Sequence, residues 1–575
     1  MKRSFTSIPQ LYRNVKRWTE IISILSKYGL ADWLGRLNID WMKDWIRAPD
    51  GELVSHQKKS ALIRMALTEL GPTFIKFGQL LSTRPDLIGP ELAEELSLLQ
   101  SDAPSDDFSE VRKTVESELG KRIEDVFESF DEVPIASASI GQVHRATLRP
   151  DMADNSLLGE HGDVVVKVRH TNIEPKIETD LDILSGLASL AERLDDFKNY
   201  QPTMIVEEIS KTLRRELIFD REFRNLVQFR VLFEKEDSVV IPQPIAPFCS
   251  TQMLTMQRLG GVKLRDAQQE PPEGIQLVDV AKNGANLYLK MIFQHGFYHA
   301  DPHPGNILLM ENGKLGLIDF GMVGRISEQL REDVETMLVS IVNRDVPMLA
   351  MIIKRIGKCP SDLNESALHG DIADFVGQYS TQVLSQFDMS AALSDFVEMV
   401  RRYNILLPAE ASLLIKTLIS LEGTARLLNP EFSLMEIMKP YQRILTLRRL
   451  SPSRQARKMQ RFYMQLEQLA DGLPQRINHI LEQVQTGRFD IHLDHRRLGP
   501  TVNRLVLGML TSALFLGSSW MLASAVPPLL FPEQGPLGIR DLSVFGLFGM
   551  LCSVMLGLRL VWAIRKSGNL DQQKK

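Results

Sequence analysis

The chain has 575 residues, of which 44% are hydrophobic and 24% are charged, and its formal net charge is −5 at pH 7. This length exceeds what one ordinary core supports, so we expect two or three structural units. The composition is that of a folded protein, and the mild negative charge argues against a general nucleic-acid binder. The cysteines Cys249, Cys359 and Cys552 lie far apart without metal-ligand spacing, which indicates a reducing compartment.

The first 49 residues predict short amphipathic helices, because apolar residues recur there at helical spacing. Four tryptophans stand among basic residues: Trp18, Trp33, Trp41 and Trp45. This pattern fits an interfacial membrane helix or an ordinary packing helix, and we favour the packing helix. The basic start lacks the apolar region of a secretory signal, so we expect it in the cytoplasm.

A longer helix is predicted from His56 to Ser82. It contains Lys76 and Gln79, which are three residues apart and therefore share one face. Alone, such a pair is usually a solvated surface feature. Two more helices are predicted over Gly89–Gln100 and Phe108–Phe130, with a polar linker between them.

A segment of small residues with one glycine comes next. Small residues let backbone N–H groups approach a phosphate closely, although a plain β-hairpin also fits. The segment consists of Ala136, Ser137, Ala138, Ser139, Ile140, Gly141, Gln142 and Val143. Two strands follow, Val143–Leu148 and Val164–Val168. The second strand places Lys167 among apolar residues, which is where a protein kinase has its phosphate-pairing lysine.

A helical region is predicted from Ile177 to Phe233. It contains Glu216 and Glu222, and spacing alone does not decide which could pair with Lys167. Strands are then expected at Val239–Ile241 and Gln252–Met256. A Gly-rich connection over residues 257–261 follows, where a kinase hinge would bind adenine, and a helix over residues 277–295 comes after it.

Three polar side chains stand at tight spacing in YHADPHPGNILLMENGKLGLIDFGMVG: Asp301, Asn306 and Asp319. The protein-kinase signature has Asp and Asn at the same offset, followed by Asp-Phe-Gly. In phosphoryl transfer, one such group orients the attacking oxygen and two oxygen ligands hold magnesium against the phosphates. A polar turn is the alternative. The joint match favours the phosphoryl-transfer site.

A helix is expected directly after this block, near Ser327. No Ala-Pro-Glu sequence follows the Asp-Phe-Gly closely, and Pro408-Ala409-Glu410 lies far downstream. The activation segment that docks a peptide in a protein kinase is therefore expected to be missing, which argues against a protein substrate.

Two apolar spans lie near the C-terminus. Leu505–Val526 has 22 residues and Val544–Ile564 has 21, and each is long enough to cross a bilayer core of about 30 Å. Basic residues flank the pair on its outer sides, so the positive-inside rule predicts a hairpin with both ends in the cytoplasm. The alternative is a buried helical pair. A helical arm is predicted over residues 452–490.

Taken together, these motifs resemble those of the UbiB family of atypical kinase-like proteins. The resemblance rests on Lys76-Phe77-Gly78-Gln79, the Ala/Ser-rich loop, the strand VVVKV and the HADPHPGN…IDFG block, and it covers roughly residues 20–450 and the C-terminal spans. It implies an α+β, two-lobed protein-kinase-like fold with a small lobe around an antiparallel sheet and a larger helical lobe. The implied domains are a helical extension (1–107), the two lobes (108–259 and 260–450), the arm (451–500) and two transmembrane helices (501–575).

The resemblance also implies roles for individual residues. The segment from Ala136 to Val143 would cover the phosphates of ATP, and Lys167 would pair with the phosphates and with Glu222. Asp301 would be the catalytic aspartate, and Asn306 and Asp319 would bind Mg²⁺. Lys76, Gln79 and Glu216 would be regulatory, with Lys76 near the nucleotide. Glu216 begins the family's Glu-x-Asp motif, but Ile218 stands in place of its aspartate.

The implied function is that of a kinase or ATPase at the bacterial inner membrane that supports ubiquinone biosynthesis. Its implied partners are ATP, an isoprenoid lipid or quinone precursor, and quinone-biosynthesis enzymes, with a homodimer left open. Two alternatives also stay open. One is a protein kinase that regulates a quinone-biosynthesis enzyme, and the other is a non-catalytic, nucleotide-gated lipid-binding scaffold.

Overall fold

The computed structural model describes residues 15–30, 58–99, 104–152, 162–194, 201–269, 271–380, 387–438, 498–530 and 541–566, with a few residues between 456 and 467. The chain divides into two compact units, Met1–Arg454 and Gln455–Lys575. Trp33, Trp41 and Trp45 lie outside the described residues, as does nearly all of the predicted arm at 452–490.

The N-terminal part of the first unit is helical. Its helices are α1 (Val15–Lys27), α2 (Lys59–Leu70), α3 (Pro72–Leu81), α4 (Pro85–Ile88) and α5 (Pro90–Ser97). The prediction of one helix from His56 to Ser82 was wrong. The chain breaks at Gly71, whose φ of 97° lies in a region that favours glycine, and Pro72 then begins a new helix.

Helix α1 is an ordinary packing helix. Trp18 is 5% exposed and belongs to an apolar cluster with Phe74, Ile183 and Leu187. The favoured interpretation of the N-terminal pattern is therefore confirmed for Trp18.

A five-stranded antiparallel sheet follows helices α6 (Phe108–Leu119) and α7 (Ile123–Val126). Its strands are β1 (Phe127–Phe130), β2 (Ala136–Ser137), β3 (Gly141–Leu148), β4 (Asp163–Arg169) and β6 (Met253–Gln257). Four of them pair in the order β1-β3-β4-β6, and β2 pairs with β3. The prediction of one helix from Phe108 to Phe130 was wrong, because α6 ends at the left-handed residue Gly120 and β1 pairs with β3.

Three helices lie between β4 and β6 in the chain: α8 (Ile173–Ala191), α9 (Pro202–Glu216) and α10 (Phe219–Phe233). The next strand, β5 (Val239–Val240), pairs in parallel with a strand of a second, four-stranded sheet. That sheet consists of β5, β10 (Leu315–Leu317), β9 (Ile307–Leu309) and β7 (Val262–Lys263), in this order. It is therefore separate from the sheet that contains Lys167.

The remaining lobe is mainly helical. Its helices are α11 (Leu264–Ala267), α12 (Leu277–Lys290), α13 (Glu328–Val342), α14 (Val346–Ile356), α15 (Glu365–Ser380), α16 (Met389–Arg402) and α17 (Ala409–Leu428). A π-helical turn at Met291–His295 continues α12, and β8 (Phe297–His299) pairs with β11 (Val323–Arg325). The core of this lobe includes the buried rings of Phe229, Tyr288 and Phe320.

In the second unit, two long helices, α18 (Leu498–Ala523) and α19 (Val544–Lys566), are joined near their ends by β12 (Leu529–Leu530) and β13 (Leu542–Ser543). Within them, Asn503–Ala523 and Val544–Trp562 are long and apolar enough to cross a membrane, and both are largely exposed. By length and composition, this part of the chain therefore has two candidate membrane spans.

Candidate active site

Lys167 lies at the centre of a charged cluster between the two lobes. Its Nζ is 2.8 Å from Glu222 Oε2 and 3.7 Å from Asp319 Oδ1. The other oxygen of Glu222 accepts a hydrogen bond from the backbone N–H of Phe320, at 3.2 Å. Glu222, on α10, thus connects the strand lysine to the Asp319-Phe320-Gly321 segment.

Asp319 has a left-handed backbone, with φ of 63°, which a non-glycine residue rarely adopts. Its carbonyl oxygen is 2.8 Å from Nε2 of the fully buried His299, and its Oδ1 accepts from the N–H of Gly321 at 3.0 Å. The amide of Asn225 donates to the carbonyl of Phe320 at 3.0 Å. These contacts fix the direction of the Asp319 carboxylate.

Asp301 and Asn306 form the opposite wall of the site. Asn306 Nδ2 donates to Asp301 Oδ2 at 2.8 Å, which leaves the amide oxygen of Asn306 to face other ligands. Helix α17 supports this loop, because Thr417 and Thr424 donate to the carbonyls of Ala300 and Pro302 at 3.2 Å and 2.8 Å. The loop therefore has the same support on both sides of Asp301.

The Ala/Ser-rich loop turns tightly over the end of β4. Ala138 N–H donates to Gly141 O at 2.9 Å, and His170 N–H donates to Ile140 O at 3.0 Å. A Cβ on Gly141 would lie 2.5 Å from Val168 O, so only glycine fits there. Gln142 is directed away from the cleft, since its buried side chain contacts the N–H of Asp106 and His144.

Helix α3 brings the Lys76 motif against α9. Lys76 Nζ is 2.8 Å from Glu216 Oε2, and both side chains are largely buried. Gln79 instead donates to the backbone carbonyl of Leu99 at 2.8 Å and so holds helices of the extension together. Ile218, in place of the family's aspartate, is 45% exposed.

These residues line one cavity of about 270 Å³. The predicted site residues on its wall are Lys76, Ala138, Ser139, Ile140, Gly141, Lys167, Glu216, Glu222, Asp301, Asn306 and Asp319. The predicted residues that are not on its wall are Gln79, Ala136, Ser137, Gln142 and Val143. The structure thus brings the charged residues together and leaves half of the small-residue loop outside the cavity.

The carboxylates of the cavity shift the pKa of each lysine. Burial alone would lower the pKa of Lys167, but Asp319 and Glu222 outweigh burial and raise it. Lys167, in turn, lowers the pKa of Asp319 well below its ordinary value. Burial alone would also lower the pKa of Lys76, but Glu216, Asp319 and Asp301 outweigh burial and raise it. All three groups are therefore charged at neutral pH.

Sequence reasoning missed several residues of the site. Lys416, on α17, has its Nζ 3.3 Å from Ser82 Oγ. Burial lowers the pKa of Lys416, and the nearby Asp301 opposes this shift without reversing it. Arg215 and Arg221 line the cavity itself, whereas Lys416 lies behind its wall. His299 and Asn225, which hold the Asp319 segment, lie two and three residues from the predicted Asp301 and Glu222. Lys416 has no such neighbour, so no local signal could have indicated it.

The two lobes, the cleft between them and the Lys167–Glu222 pair define a protein of the kinase-like class. Family models match three parts of the chain. An ABC1 atypical kinase-like domain matches residues 98–352, a UbiB helical domain matches residues 372–433, and an ABC1/UbiB kinase-like C-terminal domain matches residues 491–566.

Curated relatives cover most of the chain. A protein named "Probable protein kinase UbiB" from Xanthomonas euvesicatoria is 32% identical over 84% of this chain and 88% of its own length. The protein of the same name from Aeromonas hydrophila is 33% identical over 75% and 78%. An uncharacterized protein from the hydrogenase 1 5′ region of Clostridium pasteurianum is 29% identical over 97% and 100%.

Among solved structures, Rv3197 from Mycobacterium tuberculosis, in complex with erythromycin, matches with a TM-score of 0.43 and 21% identity. The match covers 63% of this chain and 90% of the solved chain. The chain belongs to the ABC1/UbiB family of atypical kinase-like proteins. The predicted fold class, a mixed kinase-like fold with two C-terminal apolar helices, is confirmed.

Proposed function

We propose that this chain is a membrane-anchored atypical kinase or ATPase that supports ubiquinone biosynthesis and depends on ATP and Mg²⁺. The observation that carries the proposal is the Lys167–Glu222 ion pair at 2.8 Å, which Glu222 extends to the backbone of Phe320. This is the lysine–glutamate pairing that an active kinase needs.

Each remaining residue of the ATP site has a role that its position supports. Lys167 binds phosphate oxygens, and the backbone from Ala138 to Gly141 covers them. Asp301 accepts the proton of the attacking oxygen, and Asn306 orients Asp301 through their hydrogen bond.

A divalent cation fits the oxygen atoms of Asn306 and Asp319. An amide oxygen and a carboxylate are hard ligands that suit Mg²⁺, and no cluster of three His, Cys, Asp or Glu side chains occurs among the described residues to bind it alone. Phosphate oxygens and water would complete its coordination, so metal and nucleotide binding are coupled. Bound there, Mg²⁺ would neutralise charge on the phosphates.

The acceptor is best explained as water or a small molecule. Helix α13 begins at Glu328, directly after β11, and Lys76 and Leu80 of α3 line the cavity where a peptide would approach. The membrane proposal rests on the two candidate spans, and the link to ubiquinone rests on relatives named UbiB. We place the chain in the bacterial inner membrane with its kinase-like unit in the cytoplasm.

The test is ATP turnover by the purified full-length chain in detergent. The Asp301→Asn variant should lose turnover by roughly 100-fold or more, because an amide cannot accept the proton. The matched control is Glu311→Gln, a carboxylate-to-amide change in the exposed turn between β9 and β10, which should retain full turnover. Unchanged ATP turnover in Asp301→Asn would contradict this mechanism.

A non-catalytic scaffold predicts a different result in cells. A strain that lacks the gene should accumulate a quinone precursor, and the wild-type chain should restore quinone synthesis. If Asp301→Asn restores synthesis equally well, nucleotide binding suffices and the chain acts as a scaffold. Transfer of labelled phosphate to a quinone-biosynthesis enzyme, lost in Lys167→Ala, would instead establish a protein kinase.

A further inference from the structure

The cavity wall has two distinct parts. One part is apolar and is formed by α3, α9 and α17, with Leu80, Ile205, Ile209 and Leu413 among its residues. The other part is charged and contains Asp301, Asn306 and Asp319 together with five cationic side chains. These cations are Lys76, Arg84, Lys167, Arg215 and Arg221.

Three of the five cations have a carboxylate partner on the same wall. Lys76 pairs with Glu216 and Lys167 pairs with Glu222, both at 2.8 Å, and Arg84 pairs with Glu208 at 3.1 Å. Two arginines, Arg215 and Arg221, lie outside this pairing. Within the described part of the chain, neither guanidinium has a carboxylate at ion-pair distance.

The two unpaired arginines lie in a region of positive charge. Partial burial and then repulsion by Arg215, Arg325 and Arg224 lower the pKa of Arg221, whereas Glu216 raises it only in part. Arg224 is compensated by Asp220, and Arg325 stacks over the ring of Phe297. Among the described residues, Arg325 likewise has no carboxylate at ion-pair distance, but it does not line the cavity, so Arg215 and Arg221 provide the uncompensated charge on the cavity wall.

Ile218 adds no carboxylate between the two arginines. It lies between Arg215 and Arg221 in the chain and lines the same cavity. The two carboxylates in this stretch, Glu216 and Asp220, pair instead with Lys76 and Arg224.

We propose that Arg215 and Arg221 form an anion subsite in the cavity, distinct from the nucleotide phosphates, that binds the phosphate or diphosphate group of a second ligand. Two guanidiniums offer the forked donors that phosphate oxygens prefer. The adjoining apolar wall would accommodate an apolar body on that ligand. The subsite depends on the proposed function in one respect. Its ligand would lie beside Asp301, either as the phosphoryl acceptor or as an effector of the reaction.

The experiment measures the binding of inorganic pyrophosphate to the full-length chain by calorimetry, with the nucleotide site first saturated with Mg²⁺ and a non-hydrolysable ATP analogue. Arg215→Gln and Arg221→Gln should each weaken pyrophosphate binding roughly tenfold, because each removes a charge-assisted contact. Ile218→Asp should weaken it as well, because a carboxylate would pair with the arginines. Arg214→Gln is the matched control, since Arg214 is the next residue on α9 and pairs with Glu178.

Equal pyrophosphate affinity in the wild type and all three variants would overturn the subsite. It would also be overturned if the arginine variants weakened binding of the ATP analogue instead, because the arginines would then serve the nucleotide. Vesicles that contain phosphatidic acid, tested beside pyrophosphate, distinguish a lipid headgroup from a soluble phosphate. ATP turnover, measured separately, reports on the proposed function, so either proposal can fail alone.

Discussion

Glu216 and Glu222 are six residues apart, and each pairs with a different lysine. Glu222 pairs with Lys167 of the sheet, and Glu216 pairs with Lys76 of the N-terminal extension. Helix α9 ends at Glu216 and α10 begins at Phe219, so the chain changes direction between the two carboxylates. A sequence pattern read as one continuous helix could not separate them, because the break depends on packing.

The Lys76–Glu216 pair leads to a prediction about the charge of Lys76. In the wild type the pKa of Lys76 is raised, so its stabilising contribution is complete below the ordinary lysine pKa and is lost only as pH rises through the raised value. In Glu216→Gln, burial should dominate and the pKa should fall. We expect a loss of about 2–3 kcal/mol in the free energy of unfolding, less than for a fully buried pair because both groups retain some exposure.

The measurement is the pH dependence of Lys76 acylation by an amine-reactive reagent, followed by mass spectrometry. Acylation at pH 8 should be faster in Glu216→Gln than in the wild type, because more of the amine is neutral. Glu207→Gln is a suitable control, since Glu207 pairs with the exposed Lys211 on the same helix. An identical rate in Glu216→Gln and the wild type would show that Glu216 does not hold the charge on Lys76.

At the scale of elements, the extension is held by close packing of helix α3 as well as by its ion pair. A Cβ on Gly78 would lie 2.4 Å from Leu99 Cδ1 and 2.9 Å from Leu67 Cδ1. The glycine between Lys76 and Gln79 therefore lets α3 approach α2 and the segment after α5. Close approach, rather than backbone freedom, explains this glycine.

Gly78→Ala should destabilise the chain by about 1–3 kcal/mol, because the methyl group forces the neighbouring leucines to move. The change should appear as a lower midpoint in thermal unfolding of the full-length chain. Gly370→Ala is the opposite case, because Gly370 lies in helix α15 and an added Cβ would have no neighbouring atom within 4 Å. It should stabilise the chain by about 0.5–1 kcal/mol. Equal midpoints for the two variants would show that the leucines around Gly78 move aside without a loss of stability.

The ends of elements were less predictable than their existence. Strands β3 and β4 lie where alternating and apolar patterns predicted them, within two residues at each end. The helix predicted to continue to Phe130 ends at Gly120, and Phe127–Phe130 forms an edge strand. Phe127–Phe130 suits either structure locally, and its pairing with β3 decides between them.

At the scale of the whole molecule, the two candidate spans carry the proposal that the chain is anchored in a membrane. Their apolar side chains are largely exposed within their own unit, as expected for helices that face lipid. The charges at their outer ends favour an orientation with both ends in the cytoplasm. This topology would place the kinase-like unit and the charged ends on one side, with the connecting segment on the other.

Single-cysteine variants in inverted membrane vesicles can check this topology, after replacement of Cys249, Cys359 and Cys552 by serine. A membrane-impermeant thiol reagent should label Glu410→Cys, on the kinase-like unit, and should not label Asp541→Cys, beside the second span. Detergent should make Asp541→Cys reactive. Equal labelling of both variants in intact vesicles would contradict a membrane-spanning hairpin.

The sequence by itself determined the features that depend on near neighbours. Asp301, Asn306 and the Asp319-Phe320-Gly321 triplet are recognisable because their spacing in a short loop and hairpin limits where their side chains can point. The apolar strand around Lys167 and the two long apolar spans are likewise local patterns.

Only the tertiary structure decided which distant groups meet. Glu222 reaches the backbone of Phe320 across 98 residues, and Lys416 reaches the neighbourhood of Asp301 from a helix that gives no local signal. The unpaired state of Arg215 and Arg221 is also a tertiary property, because a charge lacks a partner only relative to everything packed around it. Long-range pairing depends on how elements pack, and the spacing of residues along one element does not contain that information.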